Sequence, residues 1–401
     1  MTALKKLANH LVTYPTAGNL SYTWGLGSSL GIFLGLQILT GLLLATHYVP
    51  DVDTAFLSVE HIMRDVSWGW LLRYAHANGA SFIFILMYAH IARGLYHQSF
   101  RSPRASVWYS GVTIFILMSG TAFLGSVLPW GQMSFWAATV ITNIIGVIPI
   151  IGSFIVVWIW GGFAVGKATR IRFYVLHFLL PFVVAGLAVL HLYLLHEFGS
   201  TNPKGVNGTS KEFVRFTPYY VLKDVNMFRI VFWVFAAVVL LEPNYFGHPD
   251  NYIPADPLVT PAPIVPEWYF LPFHAIRPGV PSKIGGAVAM GGSMAILYAL
   301  PSLHKERLTI YSYRMAYNFM VYVFICDVLL LGWLGGQAPI QIYTTLSLYV
   351  LTPIYFSFFA ASFVLTRLQS RVYFPPHKAE QERWELANLL MPKDEDEVTK
   401  S

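Results

Sequence analysis

Charge is scarce in this chain. Only 11% of its 401 residues are Asp, Glu, Lys or Arg, against a hydrophobic share of 55% and a mean hydropathy of +0.54. A soluble domain carries about twice that charged fraction, so a large soluble domain is excluded and a polytopic membrane protein is expected. Cysteine is almost absent too. The single Cys326, inside an apolar run, excludes internal disulfides, a thiolate-held iron–sulfur cluster and a covalently attached c-type haem within this chain; it reads as inert packing. Residues 1–20 have neither the apolar core of a cleavable signal nor an Arg-rich transit pattern. Insertion is therefore expected to begin with the first span, as in organelle-encoded or bacterial inner-membrane proteins. The net charge is +6, but the basic residues sit in short loops between apolar runs, which argues against nucleic-acid binding. Long-period repeats and low-complexity segments are lacking as well.

Apolar runs long enough to cross a hydrocarbon core lie near 28–48, 75–97, 107–128, 173–195, 228–242, 284–301, 316–335 and 346–366. A ninth stretch, 137–163, is interrupted by Asn143, Pro149, Gly152 and Gly161-Gly162, so it reads as two short helices lying at the interface. With eight spans, 19 of the 26 lysines and arginines fall on one side and seven on the other. The positive-inside rule makes the richer side the cytoplasmic or matrix face, here N, and the other face P. The expected fold is all-α. Residues 1–225 form an N-terminal four-helix bundle with interfacial helices at 137–163. Residues 226–370 form a C-terminal membrane region with a long, proline-rich P-side loop at 243–283. Residues 371–401 form a charged tail.

One interval recurs. His76 and His90 are 14 residues apart in the second span, and His177 and His191 repeat that interval in the fourth. Fourteen residues rise about 21 Å along a helix and return to nearly the same face, so each span presents two imidazoles at two depths of the bilayer. Gly27 and Gly41 in the first span, and Gly111 and Gly125 in the third, keep the same spacing. Glycine leaves room for a flat ring against a helix backbone. Spans two and four both run from P to N. His76 is therefore level with His177 near the P face, together with Gly41 and Gly125. His90 is level with His191 near the N face, together with Gly27 and Gly111. Two layers of paired imidazoles and glycine notches predict two stacked, non-covalent haem b groups. Two axial imidazoles leave iron no open position, which suits electron transfer rather than oxygen chemistry. Intramembrane polar residues are expensive and commonly functional. Arg73, Arg93 and Trp108 lie at the helix ends beside these layers, where they either pair with haem propionates or anchor the helices at the interface.

The stretches Gly125-Ser-Val-Leu-Pro-Trp-Gly-Gln-Met-Ser-Phe-Trp136, Trp158-Ile-Trp-Gly-Gly162 and Pro266-Glu-Trp-Tyr269 resemble cytochrome b of the cytochrome bc complex, respiratory complex III. The likeness runs from about residue 20 to about 370. Equal 14-residue intervals and eight spans resemble the respiratory type; photosynthetic relatives carry one extra residue in the fourth span and split the chain in two. The resemblance implies a subunit of a quinol–cytochrome c oxidoreductase that works a protonmotive Q cycle. It oxidises ubiquinol at the P face, passes electrons from a low-potential haem (His76, His177) to a high-potential haem (His90, His191), and reduces ubiquinone at the N face. Glu267 would accept a proton from quinol, and Pro266, Tyr269, Ala137 and His274 would line the oxidation pocket. Independently, an acid between Val265, Pro266 and Trp268 has an apolar setting that raises its pKa and suits proton transfer. His196, Ser200, Lys223 and Asp224 match the quinone-reduction site. From position alone, His196 follows His191 by five residues at the membrane edge, and Asp224 approaches span five from the same face.

The resemblance also implies partners: a Rieske iron–sulfur protein, a membrane-anchored c-type cytochrome, a second copy of the chain, and lipids such as cardiolipin. The implied location is the mitochondrial inner membrane, with the bacterial inner membrane as alternative. The chain departs from the family pattern at Ala137, where glycine is usual, at Ser126 and His274, where tyrosine is common, and at Pro278, where arginine is common. The Ala137 methyl is expected to narrow the oxidation pocket against strobilurin-type inhibitors, and His274 to titrate near neutral pH as a second proton path. Two other classes fit paired intramembrane histidines: a dihaem anchor of a dehydrogenase or ferric reductase, and a transporter binding metal or protons. The first needs no Pro-Glu-Trp-Tyr loop, and a ferric reductase would carry a nucleotide-binding domain absent here. The second predicts no visible absorbance.

Overall fold

The computed structural model describes residues 12–205, 213–262, 264–304 and 315–373; the tail expected over 371–401 lies, beyond residue 373, outside them. Eight helices among these residues have the length and hydropathy to cross a membrane, and they fall on the eight apolar runs. In chain order the helices needed below are α1 (Leu26–Ala45), α2 (Ala55–Arg64), α3 (Gly69–Tyr96), α4 (Ala105–Val127), α5 (Gln132–Asn143), α6 (Gly152–Trp160) and α7 (Lys167–Phe198). They continue with α8 (Phe216–Leu241), α9 (Leu271–Gly279), α10 (Lys283–Ala295), α11 (Met315–Gly335) and α12 (Thr352–Tyr373).

Two helices outrun their apolar cores. α7 starts at Lys167 rather than near 173, and α8 at Phe216 rather than 228. Their N-terminal portions carry polar residues, such as Lys167 and Arg170 in α7 and Lys223 and Asp224 in α8, which hydropathy discards but helical hydrogen bonding accepts. The boundary expected at 225/226 consequently falls inside α8, which packs back against α1 and α3.

The helices are turned for lipid rather than water. On α7 the side chains of Val175, Leu176, Leu179, Val183, Val189 and Leu192 are exposed, whereas Arg170, Phe173 and Val184 are buried. The pairs α1–α3 and α4–α7 pack most extensively and build the N-terminal bundle. A large core of phenylalanines, including Phe33, Phe84, Phe115 and Phe359, joins this bundle to α9, α11 and α12. A smaller core around Ala55, Val127, Trp130, Phe135, Ala138 and Phe173 gathers α2, α5, α6 and the ends of α4 and α7.

The stretch 137–163 holds two short helices as expected, although α5 begins earlier, at Gln132. Gly161 closes α6 at φ +67°, and a Cβ there would lie 2.8 Å from that of Ala168, so this turn requires glycine twice over. The long loop 243–283 is ordered against α5. Gln132 N donates to Ile253 O at 3.0 Å, Ala255 N to Trp130 O at 3.0 Å, and Gln132 Nε2 to Val259 O at 2.9 Å. Asn251 Oδ1 accepts from Ser134 N and Oγ, each at 3.0 Å. A two-stranded antiparallel ribbon, Pro15–Ala17 against Phe213–Arg215, holds the segment before α1 to the start of α8. Cys326 faces outward from α11 rather than into packing.

Candidate functional site

The four histidines meet in two pairs. The rings of His76 and His177 have centroids 6.2 Å apart, and those of His90 and His191 are 6.4 Å apart. This pairing makes α3 and α7 parallel. Each ring also lies against one glycine: a Cβ at Gly41 would stand 3.0 Å from His76 Cε1, and one at Gly125 2.4 Å from His177 Cε1. In the other layer the corresponding distances are 3.3 Å from Gly27 to His90 and 3.2 Å from Gly111 to His191. The layers are thus His76–His177 with Gly41 and Gly125, and His90–His191 with Gly27 and Gly111.

Sequence reasoning missed the residues that orient these rings. Thr40 Oγ1 lies 2.9 Å from His76 Nδ1, and Ser110 Oγ 2.8 Å from His191 Nδ1. His177 Nδ1 donates to the Thr121 carbonyl at 2.8 Å. With Nδ1 engaged in this way, Nε2 is the nitrogen left to ligate a metal. The signal was available, because each hydroxyl immediately precedes a notch glycine: Thr40-Gly41 and Ser110-Gly111.

The donor set fits haem. Two metal–imidazole bonds of about 2.0 Å, with each ring centre about 1.1 Å further on, separate the ring centres by about 6.2 Å, close to the 6.2 and 6.4 Å of the two pairs. Among the described residues no group of three or more His, Cys, Asp or Glu gathers as a metal site, so two-imidazole ligation with four remaining donors from a macrocycle is the chemistry these pairs suit. The Arg93 Nε is buried without a hydrogen-bond partner among the described residues, while its Nη2 donates to His90 Nδ1 at 3.1 Å. An inward-turned guanidinium with a spare donor beside the N-side layer is matched by an anionic group such as a propionate. Ligation through His90 Nε2 requires that guanidinium to release Nδ1 and turn to such an acceptor. Trp108 is engaged elsewhere in this structure. Its Nε1 donates to the Leu297 carbonyl at 2.8 Å, so its one N–H already serves to tie α4 to the C-terminal region.

On the P side a cavity of about 990 Å³ reaches from His76 and His177, with Gly41, Gly125 and Arg73, to Pro266, Glu267 and Tyr269. Ala137 and Met133 of α5 also line it. The residues expected at an oxidation pocket and the P-side layer therefore line one space, whose walls are the Pro266–Tyr269 turn and the chain after α4. Tyr269 is stacked on Phe84 with centroids 4.0 Å apart and planes at 4°, and its carbonyl accepts from the Tyr88 hydroxyl. The Trp268 Nε1 donates to Ser81 Oγ at 3.0 Å. Burial pushes the Glu267 carboxyl above the usual carboxylate range, opposed by hydrogen bonds from its own backbone and from Ser126. Burial raises the Tyr269 phenol further, and the neighbouring Glu267 and Tyr88 reinforce that direction, so Tyr269 stays neutral.

His274 departs from expectation. It is not among the cavity-lining residues, and its Nδ1 donates to the Gly335 carbonyl of α11 at 3.3 Å. Burial lowers its pKa, with Gly335 opposing and Arg277 adding to the shift, so the ring is neutral near pH 7 rather than titrating there. Pro278 sits in the last turn of α9, and nothing in the structure explains its presence.

On the N side, His196, Ser200, Lys223 and Asp224 all meet one segment, residues 14–28. His196 is stacked on Tyr14 with centroids 4.5 Å apart. Ser200 Oγ accepts from Trp24 Nε1 at 2.9 Å, and Lys223 Nζ donates to Leu20 O at 2.5 Å. Asp224 faces Gly25, where a Cβ would stand 3.0 Å from Oδ1. Trp24, with Arg93 lying 5.2 Å over its ring, connects this group to the N-side layer. Both Tyr14 and Trp24 escaped sequence reasoning because they precede the first span.

Comparison with known proteins identifies the family. Residues 11–199 match the family model for cytochrome b/b6/petB, and residues 254–356 that for cytochrome b(C-terminal)/b6/petD. The chain is 54% identical to the cytochrome b of Rickettsia bellii (strain RML369-C) over 353 residues, covering 88% of each chain. It is 51% identical to that of Marchantia polymorpha over 369 residues, covering 91% of this chain and 90% of the relative. A solved chain titled hyperthermophilic respiratory Complex III superposes with a TM-score of 0.87 at 31% identity, covering 91% of this chain and 97% of that one. With its eight apolar helices, the chain is an integral membrane protein and belongs to the haem-binding cytochrome b family.

Proposed function

We propose that this chain is the dihaem, quinol-oxidising subunit of a multisubunit bc complex of the respiratory Complex III type. The observation that carries this reading is the alignment of two opposed imidazole pairs with their glycine notches, one pair opening onto a cavity walled by Glu267. His76 and His177 would hold one haem b, and His90 and His191 the other. When bound, these groups would supply one-electron redox chemistry at two depths of the membrane, and a pair of imidazoles from the chain for each would suit electron transfer rather than oxygen chemistry.

The chain's own residues handle binding and protons. Ubiquinol enters the P-side cavity between the Ala137 wall and the Pro266–Tyr269 turn. The Glu267 carboxylate accepts a hydroxyl proton; its raised pKa brings its affinity for a proton closer to neutral pH, where accepting and releasing are both accessible. Phe84 and Tyr269, stacked on each other, keep that wall rigid and apolar. At the N face His196, Lys223 and Asp224 would bind quinone and supply protons to the reduced ring, with Ser200 held by Trp24. Protons taken up at N and released at P, with charge crossing between them, store about 2.3 kcal/mol per charge per 100 mV.

One of the two quinol electrons needs an acceptor that this chain, with its single cysteine, cannot build. A Rieske-type iron–sulfur protein and a c-type cytochrome would carry it, in a homodimeric complex with lipids such as cardiolipin. The home membrane is the mitochondrial or bacterial inner membrane. A dithionite-reduced minus oxidised spectrum of the purified complex tests the reading. Two b-type α-bands with two haems per chain are expected, and one band or none refutes it.

A further inference from the structure

Arg170 is fully buried, at 0% exposure, and its Nε, Nη1 and Nη2 have no hydrogen-bond partner among the described residues. What it touches is a ring: the guanidinium lies 4.8 Å over the face of Trp130, which is 5% exposed. A buried cation set on an aromatic face with no hydrogen-bond acceptor is costly to fold, so its position calls for a reason.

The helices place it. Along α7 the inward stripe is Arg170, Phe173, His177 and Val184, while Ile171, Val175, Leu176 and Leu179 face outward. Seven residues are two helical turns, about 10 Å of rise, so Arg170 stands above His177 on one face. The antiparallel partner α4 brings Gly125 against the His177 ring and then continues in the same direction to Trp130. Both segments therefore leave the P-side layer together and end in the Arg170–Trp130 contact, which sets a positive charge over the P-side imidazole.

Nearby acids leave that charge standing. Asp51 and Asp53, from the loop before α2, and Tyr48 are within electrostatic reach of Arg170. Asp51 is taken by Lys167 at 2.7 Å, and Asp53 is exposed, where water and salt screen it.

We propose that Arg170 is a positioning residue that also acts electrostatically. Through Trp130 it fixes the turn after α4, and its buried charge raises the reduction potential of the redox group held by His76 and His177. This rests on the reading of that pair as haem ligands. A unit charge at about 10 Å in an effective dielectric of about 20 changes an equilibrium by roughly tenfold, which for one electron is about 60 mV.

The test is potentiometric titration of both b-type α-bands in the purified complex, comparing wild type with Arg170→Leu, Arg170→Gln and Arg170→Lys. The P-side midpoint should fall by about 60 mV in the two neutral variants, stay near the wild-type value in Arg170→Lys, and leave the N-side midpoint unmoved throughout. Two intact α-bands with an unshifted P-side midpoint overturn the inference while leaving the haem reading in place. Equal shifts in all three variants, or loss of the P-side band in all three, overturn it in favour of a packing role alone. Loss of the band in both neutral variants but not in Arg170→Lys supports it. Wild-type complex without two b-type bands defeats the haem reading itself.

Discussion

A methyl group added at each notch glycine should discriminate among the four glycine–histidine contacts in a graded way. At Gly125 a Cβ would stand 2.4 Å from His177 Cε1, 2.8 Å from Nδ1 and 3.0 Å from Nε2. Carbon atoms in contact prefer about 3.5 Å or more, so the ring would retreat by about 1 Å. Metal–ligand distances tolerate about 0.2 Å, and the ring cannot turn freely because Nδ1 is held by the Thr121 carbonyl. Gly125→Ala should therefore empty the P-side layer. At Gly27 the nearest contact is 3.3 Å to His90 Cε1, a shortfall of about 0.2 Å that the ring can absorb, and Gly27→Ala should keep both haems. Gly41→Ala and Gly111→Ala, at 3.0 and 3.2 Å, should fall between, with Gly41→Ala the more damaging. Haem content per chain from pyridine haemochrome, together with the reduced spectrum of each band, measures the series. Two full haems in Gly125→Ala, or an order of loss unrelated to these distances, would refute the claim that the histidine rings sit in the glycine notches when haem is bound.

Three further changes probe the P-side cavity. Glu267→Gln removes the proton acceptor, so kcat/KM for quinol should fall by about 10²-fold or more. The wild-type rate should decline as pH drops through the raised carboxyl pKa and the acceptor is protonated, and that acid limb should vanish in the variant; an unchanged profile rules Glu267 out. Ala137→Gly takes a methyl from the cavity wall and should increase sensitivity to strobilurin-type inhibitors by about tenfold or more, with quinol turnover retained; superimposable inhibition curves would count against a steric role. His274→Gln should leave the pH–rate profile in place, because burial already keeps the imidazole neutral and outside the cavity lining. Loss of one ionisation from the profile would restore His274 as a proton path.

The parts of this molecule that were legible in sequence are those governed by a period. The 14-residue intervals, the parity of the spans and the breaks around Asn143 and Pro149 are one-dimensional consequences of helix rise and bilayer thickness, and together they place His76 opposite His177 and Gly41 beneath it. What escaped depends on chain segments that meet only in three dimensions. Trp108 looked like a propionate donor because it ends a helix beside a layer; its N–H goes instead to Leu297, 189 residues away. His274 looked like a pocket residue because it follows Glu267 by seven residues, but α9 turns its ring toward Gly335 of α11. Trp24 was invisible because nothing in its own neighbourhood signals Ser200 or Arg93. The same division separates the two kinds of polar residue inside the bundle. Those that face the rings, Thr40 and Ser110, sit next to the notch glycine and follow from the period once it is seen. Arg170 lies on the stripe of His177 as well, yet only the arrival of Trp130 from the turn after α4 gives that costly charge a partner over the P-side layer.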